Sequence, residues 1–391
     1  MEKILIVGAK RTPVGSFQGS LSTVPAPRLG ATAIAAALQQ AGVQNDSVDE
    51  VILGEVLAAG VGQAPARQAA IFAGLSPATP CLTINKVCGS GLKAVMLGAD
   101  SIALGNSEIV VAGGQENMSL APHLLENSRA GYRMGSAAVV DSMIKDGLWD
   151  PYNNFHMGNA AELCVRDYKI TRQEQDAFAI NSYKKAQAAQ SSGAFKKEVT
   201  AHQVPGRKDT LSVTVDEEPG KAQFDKVASL KPAFDKEGTI TAANASKIND
   251  GAAALVLMSE SVAQKRSTKA LARIVAAATF AQDPKWFTTA PVGAIKKALA
   301  KTGLKVGQID LWEINEAFSI VAQVAIKDLQ IPAERVNVNG GAVAIGHPIG
   351  ASGARILTTL LYALEARQAR YGLASLCIGG GEAVALIVER V

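Results

Sequence analysis

One pattern occurs twice in this chain. Ala37-Leu38-Gln39-Gln40-Ala41-Gly42, Val48-Asp49 and Gly54-Glu55 return as Ala298-Leu299-Ala300-Lys301-Thr302-Gly303, Ile309-Asp310 and Asn315-Glu316, each 261 positions later (303 − 42, 310 − 49, 316 − 55). Gly89-Ser90-Gly91 matches Ala351-Ser352-Gly353 at an offset of 262, and Gly113-Gly114-Gln115-Glu116 matches Gly379-Gly380-Gly381-Glu382 at 266. One such match is chance among common residues; five in order at nearly fixed spacing are not. A solenoid needs at least three short copies, so two long ones indicate a duplicated fold.

Each copy reads as α/β. Short Val- and Ile-rich runs at 4–7, 51–53, 108–112, 254–258, 273–276, 336–338, 375–378 and 385–388 predict strands. Most end in Gly or Asn. Ala- and Leu-rich stretches with helical spacing at 29–41, 91–104, 292–302 and 352–367 lie between them. Continuous apolar strands alternating with helices are strands buried on both faces. Residues 119–248 have no partner in the second copy and are richer in Lys, Asn, Gln and polar turns. The expected organisation is an N-terminal unit of 1–118 plus 249–270, an inserted loop domain at 119–248, and a C-terminal unit at 271–391. Loops on a rigid scaffold often supply the binding surface; a decorative lid is the other reading of the insertion.

The bulk properties narrow the function. Hydrophobic residues at 48% suffice for a large core, and a net charge of +4 over 391 residues lacks the concentrated basic face of a nucleic-acid binder. No apolar run reaches the ~18 residues of a membrane span. Four cysteines, Cys81, Cys88, Cys164 and Cys377, form neither a disulfide scaffold nor a C-x-x-C zinc pair. No secretory leader is visible ahead of Ile4, so reduced thiols in a cytoplasmic protein are expected.

Four stretches carry chemistry. In Asn85-Lys86-Val87-Cys88-Gly89-Ser90-Gly91, a strand should end near Ile84 and a helix should begin near Ser90. Cys88 then sits at a strand-to-helix turn by free N–H groups, a place that lowers a thiol pKa. A free Cys elsewhere is ordinarily buried and inert. The second stretch, 339–353, is a long Gly-rich loop holding His347 in a Gly-His-Pro frame; no Gly-Lys-Ser/Thr follows, so it is not a phosphate loop. It takes in the second copy the place of the Cys88 turn in the first. Copies packed about a pseudo-twofold bring the two turns together, where His347 can take a thiol proton. The third stretch is Cys377-Ile378-Gly379-Gly380-Gly381-Glu382, either a core Cys in a buried strand or a second thiol facing the cleft beside backbone N–H groups fit for an oxyanion. The fourth is Asn315-Glu316-Ala317-Phe318, whose polar pair either orients a water or His or caps the next helix. A Cys–His pair alone suffices for acyl transfer. A second thiol is needed where a carbon acid must lose a proton to a separate base.

At these residues the sequence resembles the thiolase family. Asn85-Lys86-Val87-Cys88-Gly89-Ser90-Gly91-Leu92-Lys93 looks like its nucleophile motif in biosynthetic, short-chain form. Asn315-Glu316-Ala317-Phe318, Gly346-His347-Pro348 and Cys377-Ile378-Gly379-Gly380-Gly381 resemble its other three motifs, in the right order. The resemblance runs from Arg11-Thr12-Pro13 to the last strand. It implies five layers, αβαβα, and a reversible joining of two acetyl-CoA into acetoacetyl-CoA and CoA. In that scheme His347 takes the proton of Cys88 and Cys88 is acetylated. Cys377 deprotonates the second acetyl-CoA, and Asn315 with a water and His347 stabilises the enolate. The N–H groups of Cys88 and Gly379 hold the oxyanion. CoA is substrate and product, and no cofactor or metal is implied. The resemblance also places Leu148, His156, Met157, Phe234, Ala242, Ser246, Ala317 and Phe318 near CoA, with Met157 closing a short acyl pocket. The segment 120–140 resembles the family's tetramerisation loop, which implies a homotetramer.

Some positions depart from the family pattern. Lys208, Lys221 and Lys226 compete for the basic contact to the adenosine phosphate. Glu382 stands where short-chain members often carry an apolar residue, beside the cleft or turned away from it. Cys81, Cys164, His123 and His202 match no motif. The competing functions are a degradative 3-ketoacyl-CoA thiolase of broader chain length and a 3-ketoacyl synthase. A non-catalytic acyl-CoA-binding scaffold on the same fold is a third.

Overall fold

The computed structural model describes residues 2–206 and 208–391. Its main sheet has ten strands, nine of them substantial. These are β1 (Ile4–Arg11), β2 (Glu50–Gly54), β3 (Cys81–Ile84), β4 (Ile109–Asn117), β5 (Asn249–Ser259), β6 (Ala272–Ala281), β7 (Leu311–Ile314), β8 (Tyr371–Ile378) and β9 (Glu382–Arg390). The two-residue strand Gly15–Ser16 pairs with the start of β5. The helices that matter here are α1 (Ala26–Ala41), α2 (Ser90–Ala103), α3 (Met157–Tyr168), α4 (Arg172–Ser192), α5 (Ala290–Thr302), α6 (Ser319–Leu329) and α7 (Ser352–Arg367).

The duplication is visible in the strand order. β1 and β6 pair antiparallel through Leu5 and Ile6 and form the seam between the copies. From the seam, one side runs β1, β5, β4, β2, β3 and the other β6, β9, β8, β7. The β2–β4, β2–β3 and β7–β8 pairs are parallel. The strand expected at 336–338 contributes only a bridge between Val336 and Trp312, where β3 lies in the first copy. The reason is Asn337, which adopts a left-handed backbone (φ 45°). Its side chain replaces the ladder, accepting from Ile314 N–H at 2.9 Å and donating to Ile314 C=O at 2.9 Å.

Three apolar clusters hold the five layers together, the central one covering both faces of the middle helices. Strands alternate their side chains between faces, so Leu5, Val7, Val51, Leu53 and Val111 meet α1 on the outside of the first copy. Ile6, Val110, Leu255, Leu376, Val384 and Leu386 face inward onto α2 and α7. On the far side Ala383, Ala385 and Ile387 meet α5 and α6. α7 is buried from Ser352 to Leu364, its polar Arg355, Thr358 and Thr359 included. Residues 119–248 add no strand to the main sheet among the described residues. They supply α3, α4 and short ribbons. Arg11 at the end of β1 ties this segment down: its guanidinium donates to Glu198 at 2.6 Å and to both oxygens of Asp216 at 2.7 and 2.9 Å, all buried.

α2 and α7 touch at the backbone. A Cβ on Gly91 would lie 2.8 Å from Ala354 N, and one on Gly353 would strike Leu92 N. These are the glycines of the matching Gly-Ser-Gly and Ala-Ser-Gly, so that repeat marks the crossing of the two central helices. Gly353→Ala should therefore cost about 3 kcal/mol or more, since the obstacle is backbone and cannot rotate away. Chemical denaturation measures it; a loss under about 1 kcal/mol would show that the helices can separate freely.

Candidate active site

The crossing leaves the N-termini of α2 and α7 side by side, and each is preceded by one of the turns singled out above. The Cys88 turn is tightly determined. Val87, a β-branched residue, sits at φ 44°, an uncommon and strained conformation. It persists because its N–H donates to Asn85 Oδ1 at 2.9 Å, its C=O accepts from the Ser90 hydroxyl at 2.7 Å, and Lys86 N–H donates to Ser90 Oγ at 2.8 Å. The turn aims Cys88, half-buried, into an apolar pocket of about 170 Å³ that His347 and Gly379 also line.

The amides of Gly379 and of Cys88 itself face the Cys88 sulfur. Two converging N–H groups of this kind are able to hold an oxyanion. They do not give a low thiol pKa. Burial pushes Cys88 up to about 11, with the two amides opposing and the Glu116 carboxylate adding to the rise. The expectation of a depressed thiol pKa is corrected: desolvation in an apolar pocket outweighs the helix end.

His347 is buried and its pKa falls to about 3, first through burial and then through the positive charge of Arg355. Its backbone N–H donates to Asn249 Oδ1 at 2.9 Å. Its Nδ1 lies 2.6 Å from Ser352 Oγ, whose hydroxyl proton goes to Pro348 C=O at 2.8 Å. Ser352 thus accepts from Nδ1–H, leaving Nε2 free to take a proton. With thiol and imidazole so far apart, the resting pair is neutral.

Asn315 places Nδ2 3.5 Å from both ring nitrogens of His347. Its Oδ1 is buried without a protein partner. It does not cap α6, which starts at Ser319 with Phe318 at the N-cap. The neighbouring Glu316 holds the His347 loop instead. Its carboxylate accepts from the Ser182 hydroxyl at 2.7 Å, Asn337 Nδ2 at 2.8 Å and Val343 N–H at 3.2 Å. Cys377, fully buried at the end of β8, packs in one apolar cluster with Met157, Ala317 and Phe318. Its pKa lies well above that of an ordinary thiol, through burial and then the neighbouring Cys88.

The pocket wall is aromatic. His156 stacks on Phe234 with ring centroids 4.8 Å apart, Phe234 meets Phe318 edge-on at 5.9 Å, and Phe318 meets Phe287 at 6.3 Å. His156 also caps α3, its Nδ1 accepting from Gly158 N–H at 3.0 Å. Leu148, Met157, Ser246 and Ala317 complete the expected lining. Met157 Sδ lies against Gly379.

Ala242 lies instead on a second cavity of about 230 Å³, together with Lys221 and Lys226. Lys208 is exposed on the 202–213 ribbon. Glu382 turns from the thiols to pair with Lys86. Cys164 is in the α3 core, Cys81 on edge strand β3, and His123 and His202 in short ribbons.

Several site residues escaped the sequence reading. Ser352 could have been found, since it is the repeat partner of Ser90. Glu116, in the matched Gly-Gly-Gln-Glu, accepts from Val56 N–H and Leu57 N–H at 3.1 Å and Gly350 N–H at 2.8 Å. Burial outweighs these donors and raises it to about 7. Asn249, Lys247 and Phe287 carry no local signal.

Fold and site define an enzyme of the acyltransferase class. The thiolase N-terminal domain model matches residues 4–261 and the thiolase C-terminal domain model residues 268–390. The chain is 55% identical to the acetyl-CoA acetyltransferase of Cupriavidus necator and 54% to that of Pseudomonas aeruginosa, each over 100% of both chains. It is 50% identical to the acetyl-CoA acetyltransferase of Schizosaccharomyces pombe, over 100% of this chain and 99% of the relative. The chain belongs to the thiolase family.

The neutral resting pair has a measurable consequence. In His347→Ala, alkylation of Cys88 by iodoacetamide should rise about ten-fold per pH unit between pH 7 and 9, because thiolate is formed only by titration toward a pKa of about 11. A plateau below pH 8 would contradict the raised thiol.

Proposed function

We propose that this protein is an acetyl-CoA C-acetyltransferase that condenses two acetyl-CoA to acetoacetyl-CoA and CoA, and runs the reverse thiolysis, through an acetyl-cysteine at Cys88. The observation that carries this reading is the meeting of Cys88, His347 and Gly379 in one apolar pocket.

The steps follow from the groups present. His347 Nε2 takes the Cys88 proton as sulfur attacks the acetyl thioester, and the Cys88 and Gly379 amides hold the oxyanion. The carbon–sulfur bond to CoA breaks. The departing thiolate takes the Cys377 proton, which suits a thiol whose pKa is raised. The Cys377 thiolate then removes a methyl proton from a second acetyl-CoA. Protonated His347, with a water on Asn315 Oδ1, stabilises the enolate oxygen. The carbanion attacks acetyl-Cys88, the Cys88 sulfur leaves and regains its proton from His347, and acetoacetyl-CoA is released. CoA serves as substrate and product, with no resident cofactor. Transfer through the acyl-enzyme makes the kinetics ping-pong.

Met157, Phe287 and Phe318 close the pocket to long chains and favour this reading over a degradative thiolase. Lys221 and Lys226, on the adjoining cavity, take the phosphates of CoA. Exposed Leu120, Leu125, Tyr132, Met134 and Val139 support assembly into a homotetramer through the 120–140 segment. The reduced cysteines and modest charge suit the cytoplasm. No helix among the described residues is long and apolar enough to cross a membrane.

Thiolysis of 3-ketoacyl-CoA substrates of four, six, eight and more carbons, with Cys88→Ala and Cys377→Ala, tests the reading. The four-carbon substrate should be strongly preferred, and each variant should lose about 10³-fold or more in kcat. Faster turnover of long chains would move the protein to the degradative class. CoA binding without turnover would make it a scaffold.

A further inference from the structure

Lys247 belongs to none of the chemical steps, yet it lines both the reaction pocket and the cavity that holds Lys221 and Lys226. Its ammonium donates to three backbone carbonyls: Ala242 at 2.6 Å, Ala245 at 3.0 Å and Val343 at 3.3 Å. Three acceptors use every hydrogen a protonated amine has. No carboxylate lies within 4.0 Å of it among the described residues. The Tyr183 ring covers it at 5.5 Å. This is a group built to join backbone segments rather than to neutralise a charge.

The segments it joins are the two sides of the site. Ala242 and Ala245 belong to the wall at 242–246, which is itself bonded to the motif after β7: Ser246 N–H donates to Ala317 C=O at 3.0 Å, and Ala245 bridges Phe318. Val343 belongs to the single helical turn Ala342–Ile345, which ends at Gly346, next to His347. Two residues beyond Lys247, Asn249 accepts the His347 N–H. One short run of chain thus grips the His347 loop at both ends, by Lys247 at Val343 and by Asn249 at His347. Val343 is also held by the Glu316 carboxylate, which accepts its N–H at 3.2 Å, and by packing against Val14, Ala179 and Tyr183.

We propose that Lys247 is a positioning residue that ties the substrate-facing wall 242–246 to the loop carrying His347, so that seating of the thioester and placement of the imidazole move as one unit. The proposal rests on the reading of Cys88 as nucleophile and His347 as its base. A long, flexible stem ending in three donors is what the span requires, and Met keeps the bulk while losing all three donors. Displacement of a catalytic group by even 1 Å lowers a rate up to about 10²-fold, so a loosened loop reads in kcat.

The test uses the full-length protein with Lys247→Met and Lys247→Arg. Thiolysis is followed with acetoacetyl-CoA and with S-acetoacetyl-N-acetylcysteamine, which lacks the phosphates. Alkylation of Cys88 by iodoacetamide at pH 7 and the melting temperature are measured alongside. The expected result is that Lys247→Met loses about ten-fold in kcat on both thioesters and alkylates Cys88 more slowly by a similar factor. Lys247→Arg, which can still donate to the carbonyls, should recover most of both. A rise in KM confined to acetoacetyl-CoA, with kcat and alkylation unchanged, would make Lys247 a phosphate contact and overturn the proposal. Unchanged kinetics would leave Lys247 without a positioning role and overturn the proposal. If Lys247→Met does not fold, Lys247→Gln takes its place under the same readouts. Failure of the wild-type protein to cleave acetoacetyl-CoA would sink the function reading alone, because Cys88 alkylation still reports on Lys247.

Discussion

The backbone contact between α2 and α7 at Gly91 and Gly353 is the constraint on which the rest of the molecule depends. Two helices meeting without side chains between them sit closer than ordinary packing permits. Each carries its own half-sheet on its outer side, so their contact sets the spacing of the two copies and produces five layers from two α/β units. It also puts the two helix N-termini together. The turns before them, one ending in Cys88 and the other in His347, then have no choice but to face the same space.

On this symmetric frame the chemistry is asymmetric. Asn315 in the second copy stands where the first has Gly54, and a side chain at Gly54 would run into Ser90 and Gly350. His347 stands where the first copy has Asn85, which is occupied in holding Val87 in its strained conformation. The matched carboxylates have also separated in role. Glu116 is buried and binds three backbone amides around the site, while Glu382 leaves for the surface and Lys86. Duplication supplied two equivalent turns; one now carries a thiol and the other an imidazole, on the same pocket.

Burial governs the electrostatics. It raises both thiols and depresses His347, against the pull of the converging amides. The resulting site holds its thiols and imidazole neutral at rest. That protects a cysteine from adventitious oxidation and alkylation, since thiolate is the reactive species. Glu316, Asn249, Ser352 and Lys247 all hold the His347 loop in place.

The repeat, the alternation of apolar strands with helices, and the placement of Cys88 between a strand ending at Ile84 and a helix starting at Ser90 were all legible in the chain. They are local or periodic properties, and local sequence controls them. Cys88, His347, Asn315 and Cys377 stood out as candidates, because each sits in a short motif of unusual residues, and the structure sets Cys88 and His347 on one pocket. The thiol pKa was not legible, since a turn can be located from sequence but the depth of its desolvation cannot. Nor was the loss of the strand at 336–338, decided by the bonds of Asn337 to a residue 23 positions away. Asn249, Phe287 and Lys247 lie in ordinary sequence and acquire their roles only from what packs against them. The chain by itself determined two α/β units and the residues able to do chemistry. Only the tertiary structure decided how deeply those residues are buried and what holds them, because both depend on contacts between segments far apart in the chain.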